Sequence, residues 1–383
     1  MTKTNQKIPV GWSVKKLGEI GTFVSGGTPD TEKPEYWNGD IVWLTPSEIT
    51  KLKTRFVSDS ERKITKLGLK NSSAVLLPKN SLIICTRATV GDCCINTKEV
   101  STNQGFKNLI PNNNCVDFLY YLISIHKNDL IRRACGSTFL EISKHDIEKL
   151  KYVFPPLAEQ EKIAEILSCW DEGIEKLSAL IEKKKLQKKA LMQKLLTAKI
   201  RLPGFTDPWK NVKLGDVCKI STGESNREDS SLDGKYTFFD RSQEVRTSNR
   251  YLFDGEAIIV AGEGQDFVPK YFFGKFDLHQ RSYCLMNFEN IFGKFLFFLL
   301  SLNKNYFLQQ AVGSTVKSLR LPMFLKMKLY LPSSLAEQKA IADILSKADA
   351  EIELLNKKLA AFNLEKKAMM QKLLTGQIRV KVN

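Results

Sequence analysis

Leu157-Ala158-Glu159-Gln160 opens, and Met192-Gln193-Lys194-Leu195-Leu196-Thr197 closes, a stretch that returns almost intact as Leu335-Ala336-Glu337-Gln338 and Met370-Gln371-Lys372-Leu373-Leu374-Thr375. Residues 157–201 align with 335–379 at a constant shift of 178 positions, without a gap, and 25 of the 45 aligned residues are identical. A repeat of this length, following each of two dissimilar globular stretches, describes a protein built from two copies of one unit.

The repeat reads as a long helix. In the first copy Ile163, Leu167, Trp170, Ile174, Leu177, Ile181, Lys184, Lys188, Leu191 and Leu195 fall at alternating steps of four and three, which is a heptad seam. The second copy places Ile341, Leu345, Ala348, Ile352, Leu355, Leu359, Phe362, Lys366, Met369 and Leu373 at the same positions. Two such helices in one chain are expected to pair with each other. Pro155 and Pro156 precede the first, Ser334 with Glu337 makes a capping box for the second, and Gly376 is placed to end it. A run of about 41 residues is roughly 60 Å long at 1.5 Å per residue, more than a small domain is wide, so these helices read as spacers. A helix buried in one globular core fits less well, because Lys and Glu fill the faces between seam positions.

At 383 residues the chain exceeds what one hydrophobic core usually organises. Its 58 Lys and Arg against 42 Asp and Glu leave a formal charge of +16, which favours a polyanionic partner, nucleic acid first. Residues 1–7 are polar, and the longest apolar run, 295–300, is far below membrane-spanning length, so a cytoplasmic protein without membrane contact is expected. The eight cysteines form no C-x-x-C pair and are expected to be free and buried; the three histidines, His126, His145 and His279, lack zinc-module spacing. No metal or cofactor is expected.

The globular stretches, 1–152 and 202–331, share their edges. Trp12 parallels Trp209, Lys16-Leu17-Gly18-Glu19-Ile20 parallels Lys213-Leu214-Gly215-Asp216-Val217, the apolar run 118–124 parallels 295–301, and Gly136-Ser137-Thr138 parallels Gly313-Ser314-Thr315. Their middles diverge: 25–105 has no convincing counterpart in 222–281, although short β-rich runs such as 81–86 and 257–260 occur in both. A common scaffold with different inserted surfaces suits two readers of different targets.

With these features the chain resembles the DNA-specificity (S) subunits of type I restriction–modification systems. The resemblance rests on the twin helix openings and closings and on Gly26-Gly27-Thr28-Pro29 followed by Tyr36-Trp37, Gly39-Asp40-Ile41 and Trp43. It implies an α+β fold in which two α/β-mixed target-recognition domains are separated by two long helices, an intramolecular antiparallel coiled coil with a pseudo-two-fold repeat. The divisions expected are 1–154 and 201–332 for the recognition domains and 155–200 and 333–383 for the helical spacers. It further implies double-stranded DNA as partner, each domain reading half of a bipartite asymmetric site, with two methyltransferase (M) subunits docked and restriction (R) subunits joining them. The S subunit itself does no chemistry. The second stretch departs from the pattern, with Thr222-Gly223-Glu224-Ser225 where the first has its Gly-Gly-Thr-Pro turn, so contacts there do not carry over.

Half-site reading needs base-edge donors and acceptors and phosphate clamps on loops. The candidates are Ser47, Arg87, Thr89, Asn103, Gln104 and Lys107 in the first stretch, with Lys144 on phosphate, and Arg227, Arg241, Gln243, Gln265, Lys317 and Arg320 in the second. The run Lys183-Lys184-Lys185 with Lys188 and Lys189 suits either the DNA between half-sites or, for Lys184 and Lys188, the seam itself. Trp37, Trp43, Phe238 and Phe239 are expected in the core rather than wedged between bases. Asp30 with Glu61-Arg62-Lys63 superficially matches a nuclease metal motif, but Asp30 follows a turn and nothing repeats it in the second unit. The chain also lacks the phosphate loop of an ATPase and the Asn-Pro-Pro-aromatic motif of a methyltransferase. A non-catalytic specificity scaffold is therefore expected; a stand-alone coiled-coil linker protein is the alternative.

Overall fold

Helical hydrogen bonding runs unbroken through 39 residues in Leu157–Leu195 and 40 in Leu335–Leu374 of the computed structural model, which describes residues 8–135 and 140–382. Among the seam positions, Ile163, Leu167, Leu177, Ile181, Leu195, Ile341, Leu345 and Leu373 are buried. Trp170, Ile174, Lys184, Lys188, Leu191, Ala348, Ile352, Leu355, Leu359, Phe362, Lys366 and Met369 are half-buried, while Leu186, Leu354 and Leu364 off the seam stay exposed.

The chain divides into two compact units, Met1–Lys176 with Leu359–Asn383, and Leu177–Lys358. Each contains the start of one long helix and the end of the other, and one ion pair joins the helices in both. In the first unit Asp171 pairs with Lys366, and Trp170 meets Phe362 edge-on at 5.6 Å. In the second, Lys188 pairs with Asp349 and Lys184 with Glu351 at 2.6 Å. Asp171 and Asp349, like Lys188 and Lys366, are 178 positions apart, so one ion pair occurs twice through the repeat. Only antiparallel helices bring the late part of one copy to the early part of the other. The two seam lysines that suited either DNA or helix pairing thus bind carboxylates.

In the first unit Ser13–Lys16 pairs antiparallel with Lys151–Phe154, and a five-stranded sheet runs in the order Gly21–Ser25, Phe106–Pro111, Leu82–Cys85, Cys93–Asn96, Phe56–Val57. A smaller sheet orders Lys63–Ile64, Trp37–Leu44 and Ser101–Thr102. Helix Val116–Ile125 covers the larger sheet, and Phe23, Leu82, Ile95, Leu109, Phe118 and Leu122 form a core that takes in Ile163, Leu167, Leu373 and Leu374 of the long helices. Arg55 strengthens this docking: it donates to Asp117 at 2.8 Å and Ser168 at 2.9 Å and lies 3.4 Å from Asp171.

The second unit repeats the frame on a different sheet. Trp209–Lys213 pairs with Lys328–Pro332, and six strands run Lys219–Thr222, Ser282–Met286, Phe253–Ala261, Lys270–Leu278, Tyr236–Phe239, Arg246–Ser248. Helix Gly293–Leu302 packs on it, and the core takes in Leu195, Leu196, Ile341 and Leu345. Phe238, Phe239, Trp37 and Trp43 are all buried.

The helix ends explain the quoted repeat. Glu159 and Gln160 are 3% and 2% exposed and Glu337 and Gln338 fully buried, each pair at a helix start. Glu159 accepts from Trp12 Nε1 at 3.0 Å and from Arg379 at 2.7 and 2.8 Å; Glu337 accepts from Arg201 at 2.6 and 2.8 Å and from Trp209 Nε1 at 3.4 Å. Gln160 accepts from the Cys115 N–H and donates to Pro155 O, as Gln338 accepts from the Phe292 N–H and donates to Pro332 O. The last residue of each repeat therefore locks the third residue of the other. The capping box at Ser334 is half made, since its hydroxyl accepts the Glu337 N–H at 3.4 Å while the carboxylate turns to Arg201. Gly376, at φ +71°, ends the second helix, and a Cβ there would fall 2.4 Å from Pro9; Ala198 takes the left-handed conformation after the first.

Gly136-Ser137-Thr138 lies outside the described residues. All eight cysteines are free, but Cys135 and Cys169 are exposed, a departure from the burial expected for every thiol. Among the described residues no helix is long and apolar enough to cross a membrane.

Candidate nucleic-acid interface

In the first unit Trp43-Leu44 runs parallel to Ser101-Thr102, so the chain leaves both strands at the same end and delivers Thr45–Ser47 beside Asn103–Gln104. Strand Leu82–Cys85 ends beside them, where Thr86 donates its N–H to Gly105 O at 2.8 Å and Arg87 and the left-handed Ala88 follow. Thr45, Pro46, Ser47, Arg87, Ala88, Asn103, Gln104 and Gly105 line a cleft of about 400 Å³. Four of the expected base readers, Ser47, Arg87, Asn103 and Gln104, thus meet in one place. Asn103 Oδ1 accepts the Gly105 N–H at 2.9 Å and Gln104 Oε1 accepts the Thr28 hydroxyl, so what each side chain offers a ligand is its donating NH2 group.

The Gly-Gly-Thr-Pro turn has a mechanical part in this. Trp43 Nε1 donates to Gly27 O at 2.9 Å and Trp37 Nε1 to Asp30 O at 3.0 Å, pinning the turn at both ends. A Cβ on Gly26 would lie 1.9 Å from Asn103 O, so only glycine lets the turn lie against the Asn103–Gln104 loop, where Thr28 reaches Gln104. Arg62, named in the sequence only as the middle of the nuclease-like Glu61-Arg62-Lys63, stacks its guanidinium 3.7 Å from the Trp37 ring centre.

Three other candidates sit differently. Lys107 is 9% exposed and pairs with Glu141 at 3.8 Å, which in turn bridges the backbone of Arg87. Thr89 turns its hydroxyl inward beside Cys85, whose thiol burial pushes up to about 12. Lys144 opens helix Lys144–Glu148, is about half exposed and lies 3.7 Å from Glu148.

The second unit gathers its cations around an acid. Arg241 and Arg281 donate to the two oxygens of Glu263 at 2.8 and 2.7 Å, and both stay about half exposed. Glu263–Gly264 pairs with Lys317–Ser318, placing Lys317 across from Gly264 with Gln265 next in the chain; Arg320 follows Leu319, which bonds Gly262. Gln243 is exposed, its carbonyl accepting from Lys270 at 3.2 Å, and Arg227 is exposed on its own short turn. Arg281 was missed in the sequence, where only the polar His279-Gln280-Arg281 break between strands marks it. In place of the Gly-Gly-Thr-Pro turn, Ser225 donates to fully buried Asp277 at 2.5 Å, as does Ser248 at 2.9 Å, with Arg250 at 3.4 Å.

His279 holds this turn by accepting the Arg281 N–H on Nδ1 at 3.0 Å. Burial, with Arg241 and Arg281 nearby, lowers its pKa below the ordinary 6.5, so the folded unit keeps it neutral. The unfolded chain takes up a proton near pH 6.5 that the folded one refuses until lower pH, so stability present above that range falls as pH drops. We expect the unfolding midpoint of the second unit to decline between pH 7 and 5.5, and His279→Gln to flatten that decline. An equal decline in the variant would remove His279 as the cause.

The residues of the nuclease-like motif are engaged elsewhere, Glu61 with Lys51 at 3.0 Å and Lys63 with Asp59 at 3.1 Å.

Comparison with known proteins gives one consistent result. The family model of the type I restriction modification DNA specificity domain matches twice, over residues 9–186 and 206–363. The type I restriction enzyme MjaIX specificity subunit of Methanocaldococcus jannaschii is 31% identical over 68% of this chain, which spans 62% of that protein's length. The MjaVIII specificity subunit of the same organism is 26% identical over 98% of this chain and 95% of its own. Among solved structures, a type I restriction-modification system S subunit from M. genitalium superposes with a TM-score of 0.63 at 18% identity, covering 97% of both chains, and the HsdS subunit from Thermoanaerobacter tengcongensis with 0.53 at 17%, covering 99% and 100%.

Proposed function

This chain belongs to the family of type I restriction–modification DNA-specificity subunits, and from that premise we propose that it reads a bipartite, asymmetric DNA site without performing chemistry. One domain, 1–154, reads one half and the other, 201–332, the second; 155–200 and 333–383 form the scaffold on which two methyltransferase subunits, and restriction subunits beyond them, assemble. Catalysis belongs to those partners. The observation that carries this is a frame whose helix-start clamp and helix-pairing ion pair recur in both units, with Glu159 and Glu337 held alike, around two unlike reading surfaces.

In the first half-site the cleft of Ser47, Arg87, Asn103 and Gln104 supplies donors to base edges, with Lys144 on phosphate and Lys107 acting through Glu141 on the Arg87 loop. Thr89 supports that loop from inside. In the second, Arg241, Gln243, Gln265, Lys317, Arg320 and Arg227 do the corresponding work.

Methylation mapping in cells carrying this subunit and its methyltransferase tests the reading. A methylated two-part motif that disappears without this chain is expected; a methyltransferase that neither co-purifies nor changes its motif would refute it. Arg87→Ala and Gln104→Ala are each expected to weaken methylation roughly tenfold to hundredfold, the loss of about 1–3 kcal/mol per base contact, and to relax only one half of the motif. Relaxation in both halves would show that the cleft is not a half-site reader.

A further inference from the structure

Both units carry a two-stranded ribbon in which a lysine stands directly across from a lysine. Lys16 is opposite Lys151 in the first, and Lys213 is opposite Lys328 in the second. Opposed like charges weaken a strand pair, because their Cβ atoms lie about 5 Å apart. A third lysine crowds each corner. The Leu17 N–H donates to Leu150 O at 2.9 Å, setting Lys16 against Lys149-Leu150-Lys151; the Leu214 N–H donates to Met327 O, also at 2.9 Å, setting Lys213 against Lys326-Met327-Lys328.

All six lysines are exposed, and none forms an ion pair among the described residues. The acids that follow the two ribbon strands, Glu19 and Asp216, are turned instead to the backbone N–H groups of Lys16 and Lys213, at 2.8 and 3.3 Å. The seam lysines differ, since Lys184, Lys188 and Lys366 each meet a carboxylate. Six positive charges in a chain of net +16 are thus held together in two matching places, at a cost to the isolated protein.

A feature repeated in two units whose reading surfaces differ must serve a ligand that is the same at both half-sites. The phosphodiester backbone meets that condition, being anionic whatever the bases, and lysine suits it as a point charge on a flexible stem. Resting on the reading of this chain as a DNA-specificity subunit, we propose that the two lysine corners are phosphate clamps that grip the duplex independently of sequence. The first is the stronger. At the shift of 177 that aligns Lys149 with Lys326 and Lys151 with Lys328, Arg132 and Arg133 line a cleft of about 470 Å³ with Lys149, Lys151 and a single acid, Asp129, which lies 2.8 Å from His126 and 3.9 Å from Arg132, where the second unit has Gln309 and Gln310.

The test uses the complex of this chain with its methyltransferase, bound to a duplex bearing the mapped motif and to a scrambled duplex, between 50 and 200 mM salt. In Lys16→Gln/Lys151→Gln/Lys213→Gln/Lys328→Gln, each lost phosphate contact lowers the slope of log affinity against log salt by about 0.9, so a reduction of about 2–4 is expected. Affinity falls equally on both duplexes, the methylation motif is unchanged, and the first pair alone accounts for the larger share. An unchanged slope overturns the proposal, as does a changed motif or loss of methyltransferase from the complex with the slope intact, which would assign the corners to a protein partner. Failure of the specificity reading is separable, because then the unmutated complex itself would not distinguish the two duplexes.

Discussion

Glu337→Ala lowers the unfolding midpoint of the second unit by roughly 6–12 °C. The carboxylate is fully buried and receives two N–H groups from Arg201 and one from Trp209, so its removal leaves a guanidinium and an indole without their acceptor in the core. Breaking a buried pair costs about 3–5 kcal/mol, and the lower end applies because Arg201 is partly exposed. For a unit of this size each kcal/mol moves the midpoint by about 2–4 °C. The first unit keeps its own clamp at Glu159, so differential scanning calorimetry should resolve two transitions where the parent's lie closer together. Glu337→Gln, which retains one acceptor oxygen, should lose less. A midpoint within 2 °C of the parent for the alanine variant would mean that water or a rotamer change replaces the clamp, in line with the lower range for partly satisfied groups.

The second large effect concerns the long helices. Seven residues inserted into both, in register with the seam, add about 10 Å to each at 1.5 Å per residue, close to three base pairs at about 3.4 Å each. The gap between the halves of the methylated motif is expected to grow by about three base pairs while the halves themselves stay the same. Insertion between Asp171 and Lys188 alone lengthens their spacing by one heptad while Asp349 and Lys366 keep theirs, so the two ion pairs cannot form together, and assembly of the complex should fail. A gap of unchanged length after the paired insertion would show that the helices do not set the spacing. Methylation mapping reads all of these outcomes.

Much of this was legible in the chain itself. Heptad steps are a local property, so Ile163 to Leu195 and Ile341 to Leu373 could be listed as a seam before any coordinates, and a gapless repeat can only mean two like units. The candidate loops were legible as polar breaks between β-rich runs, and Ser47, Arg87, Asn103 and Gln104 do converge on one cleft. Lys107 and Thr89 looked the same on paper, but strand alternation turns one toward Glu141 and a tight turn aims the other at Cys85. The contacts of Arg62 with Trp37 and of Arg281 with Glu263 could not be read from the chain, because they join residues distant in sequence.

What the amino-acid order determined alone was the doubling, the two long amphipathic helices and the basic character, because periodicity, identity between copies and charge are all properties of one strand of residues. Tertiary structure alone decided what the polar residues repeated in both copies touch. Glu159 and Glu337 begin their helices as ordinary first-turn acids, and Lys16, Lys151, Lys213 and Lys328 read as ordinary surface charge. Their meaning comes from residues 220, 136 and about 115 to 135 positions away that antiparallel pairing brings to hydrogen-bonding or cross-strand distance, and such long-range neighbours leave no signature in a local sequence window.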